Sequence, residues 1–101
     1  MNDHFLQRQQ LIKQKMARQN LNAFLVLGHE NIRYLTGFSG NAAYALITQD
    51  SQVLITDYRY FERAQNECQG FEVISRDRDN ESLGQCIARY LTVNSQLGFD
   101  A

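Results

Sequence analysis

Proline and tryptophan are absent from this sequence of 101 residues, and cysteine, histidine and lysine occur only twice each. Two isolated cysteines, Cys68 and Cys86, suit a reducing compartment better than a secreted disulfide scaffold. The two histidines, His4 and His29, stand in neither an HExxH nor a CxxC context and read as ordinary surface residues rather than metal ligands. No apolar stretch approaches the ~20 residues of a membrane helix; Ala23 to Leu27 runs for five. Met1 to Lys15 lacks the basic start and apolar run of a signal peptide. Ten basic residues against eleven acidic ones leave a net charge of −1, so nothing draws the chain to nucleic acid or an anionic membrane. These absences leave a soluble cytoplasmic domain.

Single domains usually run to roughly 100–200 residues, which makes residues 1–101 one domain with no room for a second. At this size about 65% of the unfolded surface can be buried, enough for a core without disulfide or metal. Apolar residues make up 44%, a globular composition. The mean hydropathy is nevertheless −0.45. Eight Asn and eleven Gln supply much of that polarity, and eight of the ten basic residues are Arg, which favours planar, bidentate pairing.

Periodicity predicts a helix from Asp3 to Gln19, with Phe5, Ile12 and Met16 in a narrow arc that Leu6 and Leu11 widen. Asp3 can cap its start, Asn20 suits a left-handed residue after its end, and the Gln-rich remainder reads as the solvated face. Ala23 to Leu27 reads as a strand buried on both faces. A short helical or irregular piece, Ile32 to Leu35, is closed by the loop Gly37-Phe38-Ser39-Gly40. Tyr44 to Thr48 and Gln52 to Thr56 form an antiparallel hairpin. A second helix runs from a cap at Asp57 to about Gln69, followed by a strand over Phe71 to Ser75 and an exposed loop of alternating sign, Arg76-Asp77-Arg78-Asp79. The third main helix spans about Glu81 to Thr92, capped by Asn80 and weakened at Gly84. Gln96 to Asp100 reads as a last strand, and a chain that stops as a strand finishes predicts more protein beyond it. The fold class is α/β: a single three-layer domain whose mixed, mostly parallel sheet contains one antiparallel hairpin, with helices on both faces.

Most chemistry is excluded. Both cysteines lie on apolar helix faces, where a thiol packs as a small hydrophobe. Gly37 to Gly40 leads into a strand and is neither a Walker loop nor a GxGxxG turn. No base partner for Ser39 can be named, and no pair of carboxylates stands out as acid and base. Two clusters mix Arg with aromatic residues beside a loop: Asn31 to Phe38, and Thr56-Asp57-Tyr58-Arg59-Tyr60-Phe61. Such mixtures suit contact surfaces, although composition alone favours core-facing aromatics beside solvated charges.

The two clusters together carry a resemblance. Asn31 to Gly40 with its Asn-x-x-Tyr-Leu-Thr-Gly-Phe run, the strand ending Leu46-Ile47-Thr48, and Val53-Leu54-Ile55-Thr56-Asp57-Tyr58-Arg59-Tyr60 with Ala64 resemble the creatinase/prolidase-type N-terminal domain of Xaa-Pro peptidases. Phe71-Glu72-Val73 and Leu97-Gly98-Phe99 fall where that family has later strands, so the resemblance covers nearly the whole chain. Departures at Asn20, Gly28-His29 and Ala42-Ala43-Tyr44 touch turn details and the subfamily. The resemblance implies a ribonuclease H-like fold motif, and a full-length cytoplasmic hydrolase that cuts before proline as a dipeptidase (prolidase) or aminopeptidase P. It implies two divalent metals, Mn, Co or Zn, held by a larger C-terminal pita-bread domain that this chain lacks. This chain then carries no catalytic residue, metal ligand or cofactor. Its partners are that catalytic domain and a second copy in a homodimer, with proline-containing peptide met only through the full-length enzyme. By this resemblance Arg33, Tyr34 and Phe38 face the partner subunit's active-site mouth and define substrate length. Arg59 and Tyr60 are further interface residues, and Asp57 is first a structural cap. The alternatives are a freestanding α/β module binding a protein or ligand through the same clusters, and a small independent enzyme.

Overall fold

The computed structural model describes residues 3–91 and 96–100. Within them β1 (Ala23–Val26), β2 (Tyr44–Thr48), β3 (Gln52–Thr56), β4 (Glu72–Ser75) and β5 (Leu97–Asp100) form one sheet in the order β4-β3-β2-β1-β5. The helices are α1 (Asp3–Arg18), α2 (His29–Thr36), α3 (Phe61–Glu67) and α4 (Leu83–Ala88). The hairpin of β2 and β3 forms as the sequence predicts, with Tyr44 opposite Ile55.

The sheet is mixed, but its pairings divide evenly instead of being mostly parallel: β1–β2 and β2–β3 are antiparallel, β1–β5 and β3–β4 parallel. The difference lies between β1 and β2. α2 and the loop after it return the chain to the end of the sheet it left, so Val26 faces Ala45 and β2 runs back along β1. A parallel neighbour would have needed a crossover to the opposite end.

Alternating side chains along the strands feed two cores. Val26, Ala45, Ile47 and Leu54 meet Met16 of α1, Ile32 and Leu35 of α2 and Ala64 of α3. Ala23, Leu25, Leu46, Val53 and Ile55 meet Cys86 and Ile87 of α4 on the other face. The result is three layers, helices on both sides of the sheet, in which β2 and β3 are buried from their second residue onward.

Several local features differ from expectation. Leu11 of α1 is 61% exposed instead of widening the buried face, while Gln9, assigned to the solvated face, is only 2% exposed. Its amide donates to the carbonyls of Leu35 (3.1 Å) and Gln69 (2.8 Å), and its oxygen accepts from Gln52 Nε2 at 2.9 Å. A buried amide with every group paired ties α1 to three other parts of the chain. α4 is shorter than predicted and begins with a capping box: Gln85 N–H donates to Ser82 Oγ, and Ser82 N–H to Gln85 Oε1. Asn80 instead donates to Asp77 Oδ2 at 2.7 Å. The end predicted at Thr92 lies outside the described residues, as does the side chain of the expected cap Asp3.

Asn20 is left-handed as predicted, at φ 58°. Gly37 ends α2 at φ 88°, its N–H donating to Arg33 O, and a Cβ there would come within 3.0 Å of the Glu67 carbonyl oxygen. Gly37→Ala should therefore lower stability by about 1–2 kcal/mol. Gly84→Ala, at an exposed position of α4 where the added Cβ would meet only Ser82 Oγ at an ordinary 3.9 Å, should raise stability by about 0.5 kcal/mol. Urea melts of both variants check the pair, and a stabilising Gly37→Ala would contradict the left-handed requirement.

Candidate functional site

α2 turns its apolar side inward, burying Ile32, Leu35 and Thr36 and leaving Arg33 and Tyr34 exposed. Tyr34 is covered on one side by Arg8 of α1, whose guanidinium lies 3.8 Å from the ring centroid and whose Nη1 donates to Tyr34 O at 2.8 Å. Arg33 carries no ion pair among the described residues.

Phe38 does not join them. It is fully buried and meets Tyr60 edge-on, with ring centroids 6.3 Å apart. It cannot face a substrate mouth as expected; an aromatic behind a glycine turn belongs to the core here. Gly40 packs so closely over the Phe38 ring that a Cβ would lie 2.3 Å from it. Tyr60 is half-buried against the same core.

The loop is latched by Ser39. Its N–H and hydroxyl both donate to Glu67 Oε1 at 2.9 Å, and Arg63 donates to the Ser39 oxygen while its Nε reaches Glu67 Oε2 at 3.1 Å. The Ser39 N–H, followed by its hydroxyl, holds the Glu67 carboxyl below the usual range. A hydroxyl oxygen already facing a guanidinium is a poor nucleophile, so the latch is structural. Burial pushes the Cys68 thiol up to about 11, leaving it protonated at neutral pH.

The second cluster sits where β3 ends. Asp57 is 3% exposed, and its Oδ1 accepts the Arg59 N–H and Nε at 3.0 Å while Oδ2 accepts Arg59 Nη2 at 2.8 Å. Arg78 Nη1 stands 3.7 Å from Oδ2. The side-chain bonds from Arg59 hold the Asp57 carboxyl below its ordinary value against the opposing effect of burial, and the same bonds raise Arg59. Asp57 was expected to cap the second helix. It caps the preceding turn instead, because α3 begins at Phe61 behind Tyr60, which makes no side-chain cap. Arg59 lies 5.2 Å from the Tyr60 ring centroid.

The alternating signs of residues 76–79 predict a solvated loop for Arg76 and Arg78. The structure brings them to Asp57, because β3 and β4 are parallel with Thr56 opposite Ser75, so their next residues emerge side by side. The strand–helix–strand order was a signal for this. Together with Asn41, Tyr44 and Arg59 they line a cleft of about 250 Å³. Arg33 and Tyr34 stay apart from it on the outer side of α2. No three of His, Cys, Asp and Glu gather as a metal-binding group among the described residues, so the donor set here does not fit a metal centre.

The Creatinase/Prolidase N-terminal domain family matches residues 8–101. The chain belongs to this family. It is 36% identical over 63 residues to the uncharacterized peptidase YqhT of Bacillus subtilis, covering 62% of this chain and 18% of that protein. The chain therefore spans less than a fifth of that curated relative's length. Among solved structures it resembles an Xaa-Pro aminopeptidase from Streptococcus pyogenes at 30% identity and TM-score 0.75, covering 99% of this chain and 94% of the other. It also resembles the X-prolyl aminopeptidase of Caenorhabditis elegans, described as a cytosolic enzyme with a di-nuclear active site, at 27% identity and TM-score 0.64, over 79% of this chain and 15% of that one. The creatinase/prolidase N-terminal fold thus accounts for the three layers and the mixed sheet.

Because the folded Asp57 carboxyl titrates below its unfolded value, its contribution to stability is complete above about pH 4 and is lost as pH falls through the depressed folded value. Asp57→Asn should cost about 1 kcal/mol at pH 7, limited by the solvation of half-exposed Arg59. Thermal midpoints of the two proteins should converge as the pH drops below about 4. A constant gap down to acid unfolding would show that the charge is not what matters.

Proposed function

We propose that this chain serves as the non-catalytic N-terminal domain of a metal-dependent Xaa-Pro dipeptidase or aminopeptidase of the cytoplasm. The family match over residues 8–101 carries this reading. The likeness to an Xaa-Pro aminopeptidase domain over nearly the full length of both chains supports it. Hydrolysis then belongs to a catalytic domain outside residues 1–101, where two divalent metals would activate water, as the di-nuclear site described for the Caenorhabditis relative suggests. No step of that chemistry uses a residue of this chain, whose described carboxylates, histidines and cysteines form no metal-binding group.

The domain's part is to pack against its own catalytic domain and a second subunit and to shape the mouth of that subunit's active site. Arg33 and Tyr34 are the candidates for that edge. They are exposed on one side of α2, Arg33 makes no ion pair among the described residues, and an Arg beside an aromatic residue is a frequent anchor at interfaces. Phe38 contributes by supporting the loop from below.

In the full-length enzyme, Arg33→Ala should change kcat/KM for tripeptides relative to dipeptides by about fivefold, the scale of one exposed charge contact of ~1 kcal/mol. Equal kinetics on both lengths would remove Arg33 from the mouth. Residues 1–101 alone, supplied with Mn²⁺, should release no proline from an Xaa-Pro dipeptide, and turnover by this chain would overturn the non-catalytic reading.

A further inference from the structure

We propose that the cleft at the joined ends of β3 and β4 binds a small oxyanion, a carboxylate or phosphate group, through Arg59, Arg76 and Arg78. The inference goes beyond the peptidase reading and holds whatever the full-length enzyme cuts. Its first support is charge. Three guanidinium groups line the cleft against one carboxylate, Asp57, leaving two positive charges in excess within a chain whose net charge is −1. Such local excess in a concave, partly desolvated site attracts counter-charge.

The second support is the number of donors left over. Each guanidinium carries five N–H groups. Arg59 commits Nε and Nη2 to Asp57, Arg76 commits Nη1 to the Glu81 carbonyl at 2.7 Å, and Arg78 has only its 3.7 Å approach to Asp57. Most N–H groups of the three remain without a partner among the described residues. Asp77 and Asp79 do not line this cleft; they line the neighbouring hollow, which shares Asp57 and all three arginines with it, so the positive excess is confined to the Asn41–Tyr44 side. Asp77 already accepts from Asn80 Nδ2 at 2.7 Å and from the Asp79 N–H at 3.1 Å.

The third support is pre-organisation. Asp57 is buried and grips Arg59 from two sides, and the Glu81 carbonyl holds Arg76, so two of the three side chains lose little freedom on binding. The parallel register of β3 and β4 sets their spacing, and Asn41 and Tyr44, at the entry to β2, complete the polar lining. A planar guanidinium fork fits a carboxylate or a phosphate edge with two parallel bonds. At about 250 Å³ the cleft admits a phosphate or a short dicarboxylate, not a nucleotide.

The test follows the Nε–H resonances of the three arginines in ¹⁵N-labelled chain titrated with inorganic phosphate and, separately, with succinate, at ionic strength held constant with chloride. Saturable shifts at Arg59, Arg76 and Arg78 with either anion support the site, and the arm that saturates first names the preferred group. Arg78→Gln, at a side chain 58% exposed whose one ion pair among the described residues is the 3.7 Å approach to Asp57, should weaken binding about tenfold while the rest of the spectrum stays folded. Arg18→Gln on α1 should leave the affinity unchanged. Linear shifts matching those from chloride alone, or Arg78→Gln binding as tightly as the unaltered chain, would overturn the proposal.

Discussion

The structure depends on burying the β2–β3 hairpin from both sides. Leu46, Ile47, Val53 and Leu54 are wholly inaccessible to solvent. Each such side chain is worth about 1.5–3 kcal/mol only when apolar partners cover it. Two strands with apolar residues on both faces require a helical layer above and another below. α1, α2 and α3 supply one, and α4, the shortest helix described, the other. Edge positions fall to β4 and β5, and loops and strand ends are left to carry charge.

That arrangement explains why the polar features gather where they do. A strand buried on both faces can present chemistry only where it ends, and β3 ends at Thr56-Asp57. Thr56 is tied to the neighbouring loop by its hydroxyl, 2.6 Å from the Ala42 carbonyl, and Asp57 is neutralised by arginines. Leaving a nearly buried carboxylate unpaired would cost several kcal/mol, so the Arg59 clamp belongs to the fold before it belongs to any binding event. Its usefulness as part of a cleft follows from what comes next to it, β4, whose own exit is Arg76 to Arg78.

The elements were largely legible because their signals are local. The hairpin matched to the residue, α1 and β1 to within a residue or so, and the left-handed Asn20 followed from its place after a helix. Misreadings came where local signals compete. Asp57 looked like a helix cap because it precedes a helical pattern, yet its nearest donors are those of Arg59 in a turn. Ser82 with Gln85 is the stronger cap signal for α4, and Asn80, a good cap residue by type, bonds to Asp77 instead. Gln9 shares its sequence signal with solvated neighbours, since nothing in a run of glutamines marks which one points inward.

By itself the sequence determined the α/β class, the doubly buried strands, the absence of a membrane-length apolar run and the family to which the two clusters point. Only the tertiary structure decided that Phe38 is core, that Ser39 is latched to Glu67 and that Arg76 and Arg78 stand beside Asp57. The physical reason is range. Periodicity and turn chemistry act within a few residues. Asp57 finds Arg59 two residues on, but Tyr60 for Phe38, Glu67 for Ser39 and Arg78 for Asp57 lie about twenty or more residues away, and become neighbours only when the sheet and its two helical layers close.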